Sequence, residues 1–342
     1  MGNMTVEDYV PPDDLAKLLF ELGEAVSDHV LRHRDPHSDF EERGFEGGDT
    51  IYAIDRLVEP IILSHVDQWP KHLKPIVVVA EGMGENGQTL LGEDFETPKF
   101  RLLVDPIDGT RGIMYDKRSA WFLAAIAPDK GPETRLRHVV ASAMVEIPTG
   151  KQHLADAFYA SEGSKTIGER RNVLDGRRFA IEVRPSSSAD LKNGFAQVSN
   201  FFPGTKVLAS ELMEEIAKSS EGKIRSGEAP IFDDQYISTG GQFVQLIDGK
   251  DRFCCDLRPL FYEIIERQGA QESSIGLQCH PYDIAGLLTA KQAGVIITDG
   301  WGRELDAPFD LTTPVHWCGY ANKRLQQRIQ PVIRNWLTRY LG

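Results

Sequence analysis

Three short segments of this 342-residue chain carry carboxylates that could share a cation: Ala80-Glu81, Asp105-Pro106-Ile107-Asp108-Gly109-Thr110 and Pro281-Tyr282-Asp283-Ile284-Ala285-Gly286. Glu81 ends a β-branched run over residues 75–80, and Asp105 follows a second run over 100–104. Neighbouring strands of one sheet end side by side, so the two carboxylates can converge on one point. Pro106 is expected to stop the strand ladder and set a turn that returns Asp108 beside Asp105. Gly109 permits close backbone approach, and the amides of Gly109 and Thr110 can cradle an anion where a helical turn begins. Hard oxygen ligands next to an anion nest suit Mg2+ holding a phosphate. Asp283, expected in the first turn of a helix opened by Pro281, would bring a carboxylate from the other half of the chain. Singly these segments are bland, since Asp-Pro-x-Asp-Gly is most often a plain turn and an acidic residue at a helix start complements the dipole. It is their combination that points to chemistry.

A rival motif lies nearby. Gly82, Gly84 and Gly87 match the GxGxxG spacing of dinucleotide binding, but that mechanism needs the glycines to open a helix. Residues 88–98 hold Gly92 and Pro98 with no helical period, so a glycine-rich turn is the better reading.

The elements that must position these groups follow from periodicity. Residues 13–33 carry Leu15, Leu18, Leu19, Leu22, Val26 and Val30 at helical spacing, and a second helical pattern spans residues 50–67 after a break at Gly44, Gly47 and Gly48. Strands are expected at 75–80, 100–104, 121–127, 139–146, 157–161, 179–183, 194–199, 252–256 and 295–298. Further helices are expected at 208–219, 239–248, in part of 257–274, from 280 to about 293, and at 322–340. The Pro185-Ser186-Ser187-Ser188 stretch is the best boundary between two halves, and mixed strands and helices in both say α/β or α+β.

Composition narrows the classes. Lys and Arg total 38 against 51 Asp and Glu, a formal charge of −13, which argues against a general nucleic-acid binder. Apolar runs such as 120–128 fall well below the ~18–20 residues of a membrane span. The opening residues show no secretory pattern, and Cys254, Cys255, Cys279 and Cys318 show no CxxC spacing. A reduced, cytoplasmic protein with no membrane or nucleic-acid partner is expected.

In their order, the three segments resemble the inositol monophosphatase and fructose-1,6-bisphosphatase superfamily of Mg2+-dependent, often lithium-sensitive sugar phosphatases. Its signatures are a Glu after a strand, then D-P-[IL]-D-G-[TS], then W-D-x-A-G. The likeness extends over roughly residues 50–311. The resemblance implies an α+β, layered αβαβα sugar-phosphatase fold of two α/β domains with the active site between them. Residues 1–187 would carry Glu81 and the Asp105–Thr110 segment, and residues 188–342 would carry Asp283. Glu81, Asp105, the Ile107 carbonyl, Asp108 and Asp283 would be ligands to two Mg2+ ions, with a third position open to question. Gly109, Thr110, Arg111, Thr239 and Gly240 would bind phosphate or substrate. Asp55, Glu81 and Thr110 would be catalytic, Asp55 orienting the Thr110 hydroxyl that helps activate water. The implied reaction is hydrolysis of a small inositol, sugar or related phosphate by metal-activated water, in a homodimer. The same segments occur in 3′-phosphoadenosine 5′-phosphate-type nucleotidases and fructose-1,6-bisphosphatases. An inactive metal- and phosphate-binding member is the non-enzyme alternative.

Departures from the pattern are informative. Gly82 follows Glu81 where a second Glu is common, resembling with Glu85 the Glu-Gly variant of class II fructose-1,6-bisphosphatases. Tyr282 stands where Trp is usual, and Arg111 where a smaller or neutral residue is frequent. The long segment 257–279 replaces a short link whose glutamate touches substrate hydroxyls; Asp256, Glu263 and Glu266 are the candidate substitutes. That segment is expected to set substrate choice.

Overall fold

The computed structural model describes residues 11–34, 42–46, 49–81, 83, 88–91, 97–222, 228–269 and 277–342. The first half contributes α1 (Pro12–His33), β1 (Glu42–Glu46), β2 (Asp49–Tyr52), α2 (Ala53–Asp67), β3 (Ile76–Ala80), β4 (Gln88–Leu91), β5 (Phe100–Asp108), α3 (Thr110–Met114), β6 (Ala120–Pro128), β7 (Ala141–Ile147), β8 (Leu154–Ser161), β9 (Ile167–Asn172) and β10 (Arg178–Ile181). The second contributes β11 (Gly194–Val198), α4 (Lys206–Glu221), β12 (Ile231–Phe232), α5 (Thr239–Ile247), β13 (Asp251–Asp256), α6 (Arg258–Arg267), α7 (Leu287–Gln292), β14 (Ile296–Thr298), β15 (Trp317–Tyr320) and α8 (Lys323–Leu341). No helix among the described residues is long and apolar enough to cross a membrane.

The strands that read as unbroken apolar runs are those buried on both faces. Eight strands form one sheet in the order β10-β9-β8-β7-β6-β5-β3-β4, with β3 and β5 its parallel pair. Along β3, β5 and β6, the residues Ile76, Val78, Leu102, Val104, Phe122 and Ala124 face one core, and Val77, Val79, Leu103, Leu123 and Ala125 face the other. A side-chain period of two with both sets apolar is what two covered faces require. The first core is closed by α1 and α2, whose Leu15, Leu19, Leu22, Val26, Val58, Ile62 and Val66 form the apolar stripes the sequence predicts. Each such side chain contributes about 1.5–3 kcal/mol relative to exposure.

The second core joins the large sheet to α5 and α7, which also pack on a five-stranded sheet ordered β12-β11-β13-β15-β14. Helices α4 and α8 pack against β11 and β15, and α6 packs on α8. The layers therefore run αβαβα, as expected. Asn322 caps α8 by accepting from Arg324 N (2.9 Å) and Leu325 N (3.1 Å), while its amide donates to the carbonyls of Ser186 and Ser188 at 2.8 Å each. The stretch between the two sheets is thus tied to a helix start.

Helix α1 sits close to the sheet because position 23 is glycine. A Cβ there would lie 2.5 Å from Val145 Cγ2 and 2.6 Å from Phe122 Cδ1. Gly23→Ala, though it raises helix propensity, is expected to destabilise the protein by about 1–3 kcal/mol through overpacking. A thermal melt checks this; an unchanged or higher melting temperature would show that the interface yields without cost.

Several sequence expectations need correction. Pro106 does not end the ladder: β5 continues to Asp108 and pairs with β6 through an irregularity between Asp105 and Asp108. The helix expected from 280 to 293 is broken into a 3-10 turn at Tyr282–Ile284 and the short α7. The expected start of the second helix at residue 50 is instead the β1–β2 hairpin, with α2 beginning at Ala53. The glycine motif at 82, 84 and 87 lies outside the described residues except for its intervening Met83.

Candidate active site

Strands β3 and β5 run parallel with Ala80 opposite Val104, so Glu81 and Asp105 emerge side by side at their C-terminal ends. The irregularity that follows turns Asp108 back toward Asp105. One oxygen atom each from Asp105, Asp108 and Asp283 lies within 4.8 Å of the others. Asp283 arrives from the 3-10 turn after β13 and α6, with its Oδ2 accepting from His280 N at 2.6 Å.

Each carboxylate is held from behind. Asp105 Oδ1 accepts from Ile107 N at 3.1 Å. Asp108 Oδ2 accepts from Ser238 Oγ at 2.7 Å and Gly240 N at 2.6 Å, and its Oδ1 accepts from Thr239 N at 3.3 Å. Ser238 does double service as the N-cap of α5, accepting from Gly241 N at 2.8 Å. The loop before it is pinned by Tyr236, whose hydroxyl accepts from Trp121 Nε1 at 3.0 Å and donates to the Ser119 carbonyl at 2.8 Å. Tyr282, where the resemblance expects Trp, donates from its hydroxyl to Glu81 Oε1 at 3.2 Å across the two halves of the chain.

The turn at Gly109 shapes the other side. Its φ of 94° is left-handed, and a Cβ would also sit 3.1 Å from the Ile237 carbonyl, so only glycine is unstrained there. Helix α3 starts at Thr110, whose Oγ1 donates to the Ile107 carbonyl at 2.8 Å. The cavity is lined by Glu81, Asp105, Ile107, Asp108, Gly109, Thr110, Arg111, Thr239 and Asp283 from among the sequence-predicted residues. Gly240 reaches it only through Asp108. Asp55 lies in α2, and its side chain is outside the described residues.

The electrostatics call for a cation. Burial, then the charges of Asp108, Glu81 and Asp283, push the Asp105 carboxyl well above its ordinary range. Burial and Asp108 push Asp283 up in the same way. Burial pushes Asp108 up to about 6 despite its three hydrogen bonds. Buried carboxylates that repel one another are stabilised by a metal ion, and an all-oxygen donor set fits a hard divalent one. The residues present therefore fit Mg2+.

Ser238 lines the cavity too, opening the turn 238–241 that the resemblance sets in the place of a substrate-binding turn; sequence reasoning did not single out Phe201, Phe202 or His280, which also line it, and the aromatic pair had no signal. Among its described residues, segment 257–279 lines the cavity through Arg258, Leu277 and Gln278. Glu263 instead pairs with Arg267 at 2.7 Å, and Arg267 donates to the Leu341 carbonyl of α8. Residues 270–276 lie outside the described residues.

No family model matches the sequence, and no curated protein matches it. Solved structures do match. The extragenic suppressor protein SuhB of Bartonella henselae aligns with a TM-score of 0.61 at 16% identity, over 94% of this chain and 98% of that one. Fructose-1,6-bisphosphatase of Leishmania major aligns with a TM-score of 0.67 at 12% identity, over 95% and 94%. The IMPase of Thermotoga maritima aligns with a TM-score of 0.57 at 17% identity, over 96% and 98%. The chain has the fold of the inositol monophosphatase and fructose-1,6-bisphosphatase superfamily.

Proposed function

We propose that the chain is a Mg2+-dependent phosphomonoesterase acting on a small inositol, sugar or related phosphate. The observation that carries this reading is the convergence of Asp105, Asp108 and Asp283 on one point beside the Gly109–Thr110 turn. These carboxylates, with Glu81 and the Ile107 carbonyl, would hold two Mg2+ ions. When bound, Mg2+ supplies Lewis-acid polarisation of phosphoryl oxygens and makes water a stronger nucleophile at neutral pH.

The chain's own groups do the rest. The Gly109 and Thr110 amides take the phosphate oxygens, aided by the Arg111 charge. Thr110 Oγ1, its proton directed to the Ile107 carbonyl, accepts from the attacking water and aims it at phosphorus. Asp55, on the helix before β3, is assigned to keeping Thr110 in that orientation. The hydrogen bonds to Asp105 and Asp108 hold their carboxylates in place before substrate arrives, which lowers the cost of organising the site.

Phosphate release from a panel of inositol, sugar and nucleotide phosphates, with Mg2+ or with chelator, tests the reading. Turnover of one or more in Mg2+ alone supports it; silence across the panel contradicts it. Ca2+ should occupy the carboxylates yet fail to support turnover, because its larger radius and looser coordination misplace the water.

Tyr282→Phe gives a more local expectation. Losing one hydrogen bond to Glu81 should weaken Mg2+ activation by about two- to tenfold, in line with 0.5–1.5 kcal/mol for a single bond. The rate at saturating Mg2+ should change less. A Mg2+ titration of activity reads both, and an unaltered half-saturation would remove the tyrosine hydroxyl from the account.

A further inference from the structure

We propose that Ser142 and Thr289, remote from the cavity, are positioning residues for Asp283, and that their bonds raise the affinity of the carboxylate site for Mg2+ relative to Ca2+. The inference rests on the Mg2+ reading of the site given above and adds the residues that tune its choice of ion. Asp108 ends β5 and Asp105 precedes it there, two strands away from β7 in the same sheet. Asp283 comes from the other half of the chain, in a 3-10 turn that leads through Ala285 and Gly286 into α7. Its place beside the other two carboxylates therefore depends on how α7 is fixed to the large sheet.

Helix α7 has six residues, far below the length at which a helix is stable without tertiary support. Gly286 at its N-cap offers no side chain, and Ser142 of β7 takes that part. Ser142 Oγ accepts from Thr289 N, at the third helical position, at 2.9 Å. Thr289 Oγ1 donates back to the Ser142 carbonyl at 3.0 Å, so in the 2.6 Å contact between the two hydroxyls Ser142 Oγ is the donor. The Thr289 carbonyl accepts from Thr166 Oγ1, just before β9, at 2.6 Å. Each polar atom of Thr289 is thus bonded to the first half of the chain, and Ser142 and Thr289 are both fully buried. Burial of Leu287 and Ala290 is non-directional and leaves α7 free to slide, whereas these bonds fix its position along β7. Only residues 284–288 separate the clamp from Asp283. They are wound in turns closed by Ala285 N to the Tyr282 carbonyl and Ala290 N to the Gly286 carbonyl, both at 3.1 Å, so a shift of α7 passes to the carboxylate. Mg2+ demands near-ideal octahedral ligands at about 2.0–2.1 Å while Ca2+ accepts looser sets at about 2.3–2.6 Å, so a loosened Asp283 penalises the smaller ion more.

The test reads metal binding directly, by titration calorimetry of the chelator-stripped protein with Mg2+ and with Ca2+. The readout is the ratio of the two dissociation constants, which is independent of how much folded protein a variant yields. Thr289→Val keeps the size and removes the hydroxyl; Ser142→Ala removes the cap. Each should weaken Mg2+ binding by about three- to tenfold and Ca2+ binding by less than about twofold. Thr289→Ser, which retains the hydroxyl and its bonds, should keep the wild-type ratio. Ile329→Val controls for stability alone: it trims a fully buried side chain of α8 that does not line the cavity, and should lower the melting temperature with the ratio unmoved. If Ser142→Ala does not fold, Thr289→Val against Thr289→Ser decides the matter at one position. An unmoved ratio in Thr289→Val, an equal loss of both ions, a Thr289→Ser that behaves as Thr289→Val, or an equal shift in Ile329→Val overturns the inference. A wild-type protein that binds neither ion overturns the Mg2+ reading of the site itself.

Discussion

Asp105→Asn is expected to lower Mg2+-dependent phosphate release by at least about a thousandfold while leaving the protein folded. Asp105 is only 2% exposed and lies between Asp108, Glu81 and Asp283, where its oxygens can serve a shared cation. The amide keeps the size and can still accept from Ile107 N, so what is lost is charge rather than packing. The same change carries an opposite expectation for the metal-free protein. Asp105 has a folded-state pKa raised above its unfolded value, so its ionisation costs stability once pH rises past that unfolded value. Removing the charge should therefore raise the melting temperature in chelator at pH 7 by a few degrees and diminish the further rise that Mg2+ gives the wild type. Turnover and thermal melts on one preparation read both. An active Asp105→Asn, or one that melts lower in chelator, would contradict the arrangement described.

The second large effect is at Thr110. Thr110→Ala should lower kcat by about a hundredfold with KM changed less than about threefold, because orienting water matters in the transition state while the backbone amide still holds phosphate. Asp55→Asn should show a smaller defect of the same kind. The double variant should be no worse than Thr110→Ala, since residues that act as one unit are not additive. Simple additivity would take Asp55 out of the mechanism, and a rise in KM alone would make Thr110 a binding residue only.

The parts of this molecule that the sequence made legible were those where one local rule dominates. Glu81 and Asp105 could be placed together because parallel neighbouring strands end at the same level, and the structure sets Ala80 opposite Val104. The stripe on α1 was readable because one face is buried throughout. The layered order came from the resemblance instead, since periodicity does not say which sheet a strand joins.

What escaped depends on contacts between distant residues. Pro106 looked like a strand stop, but an irregularity in the β5–β6 pairing lets the ladder resume at Asp108. Such a device leaves no periodic trace. Strand β15 (Trp317–Tyr320) is short and lies between turns, and it is a strand because β13 and β14 flank it. Tyr282 registered only as a departure, and its meaning needed Glu81 at 3.2 Å from a hydroxyl that a tryptophan lacks. Arg258 stood in a charged stretch where four residues looked alike; burial and the pairing with Asp256 separate it from Glu263, Glu266 and Arg267.

The central claim is that a divalent cation held by Asp105, Asp108 and Asp283 drives phosphate hydrolysis. It is tested most directly by stripping the wild-type protein with chelator, supplying the best substrate of the panel, and then restoring Mg2+ or Ca2+. The account predicts no phosphate release from the stripped protein, recovery with excess Mg2+, and none with Ca2+. Release that continues undiminished in excess chelator would contradict it.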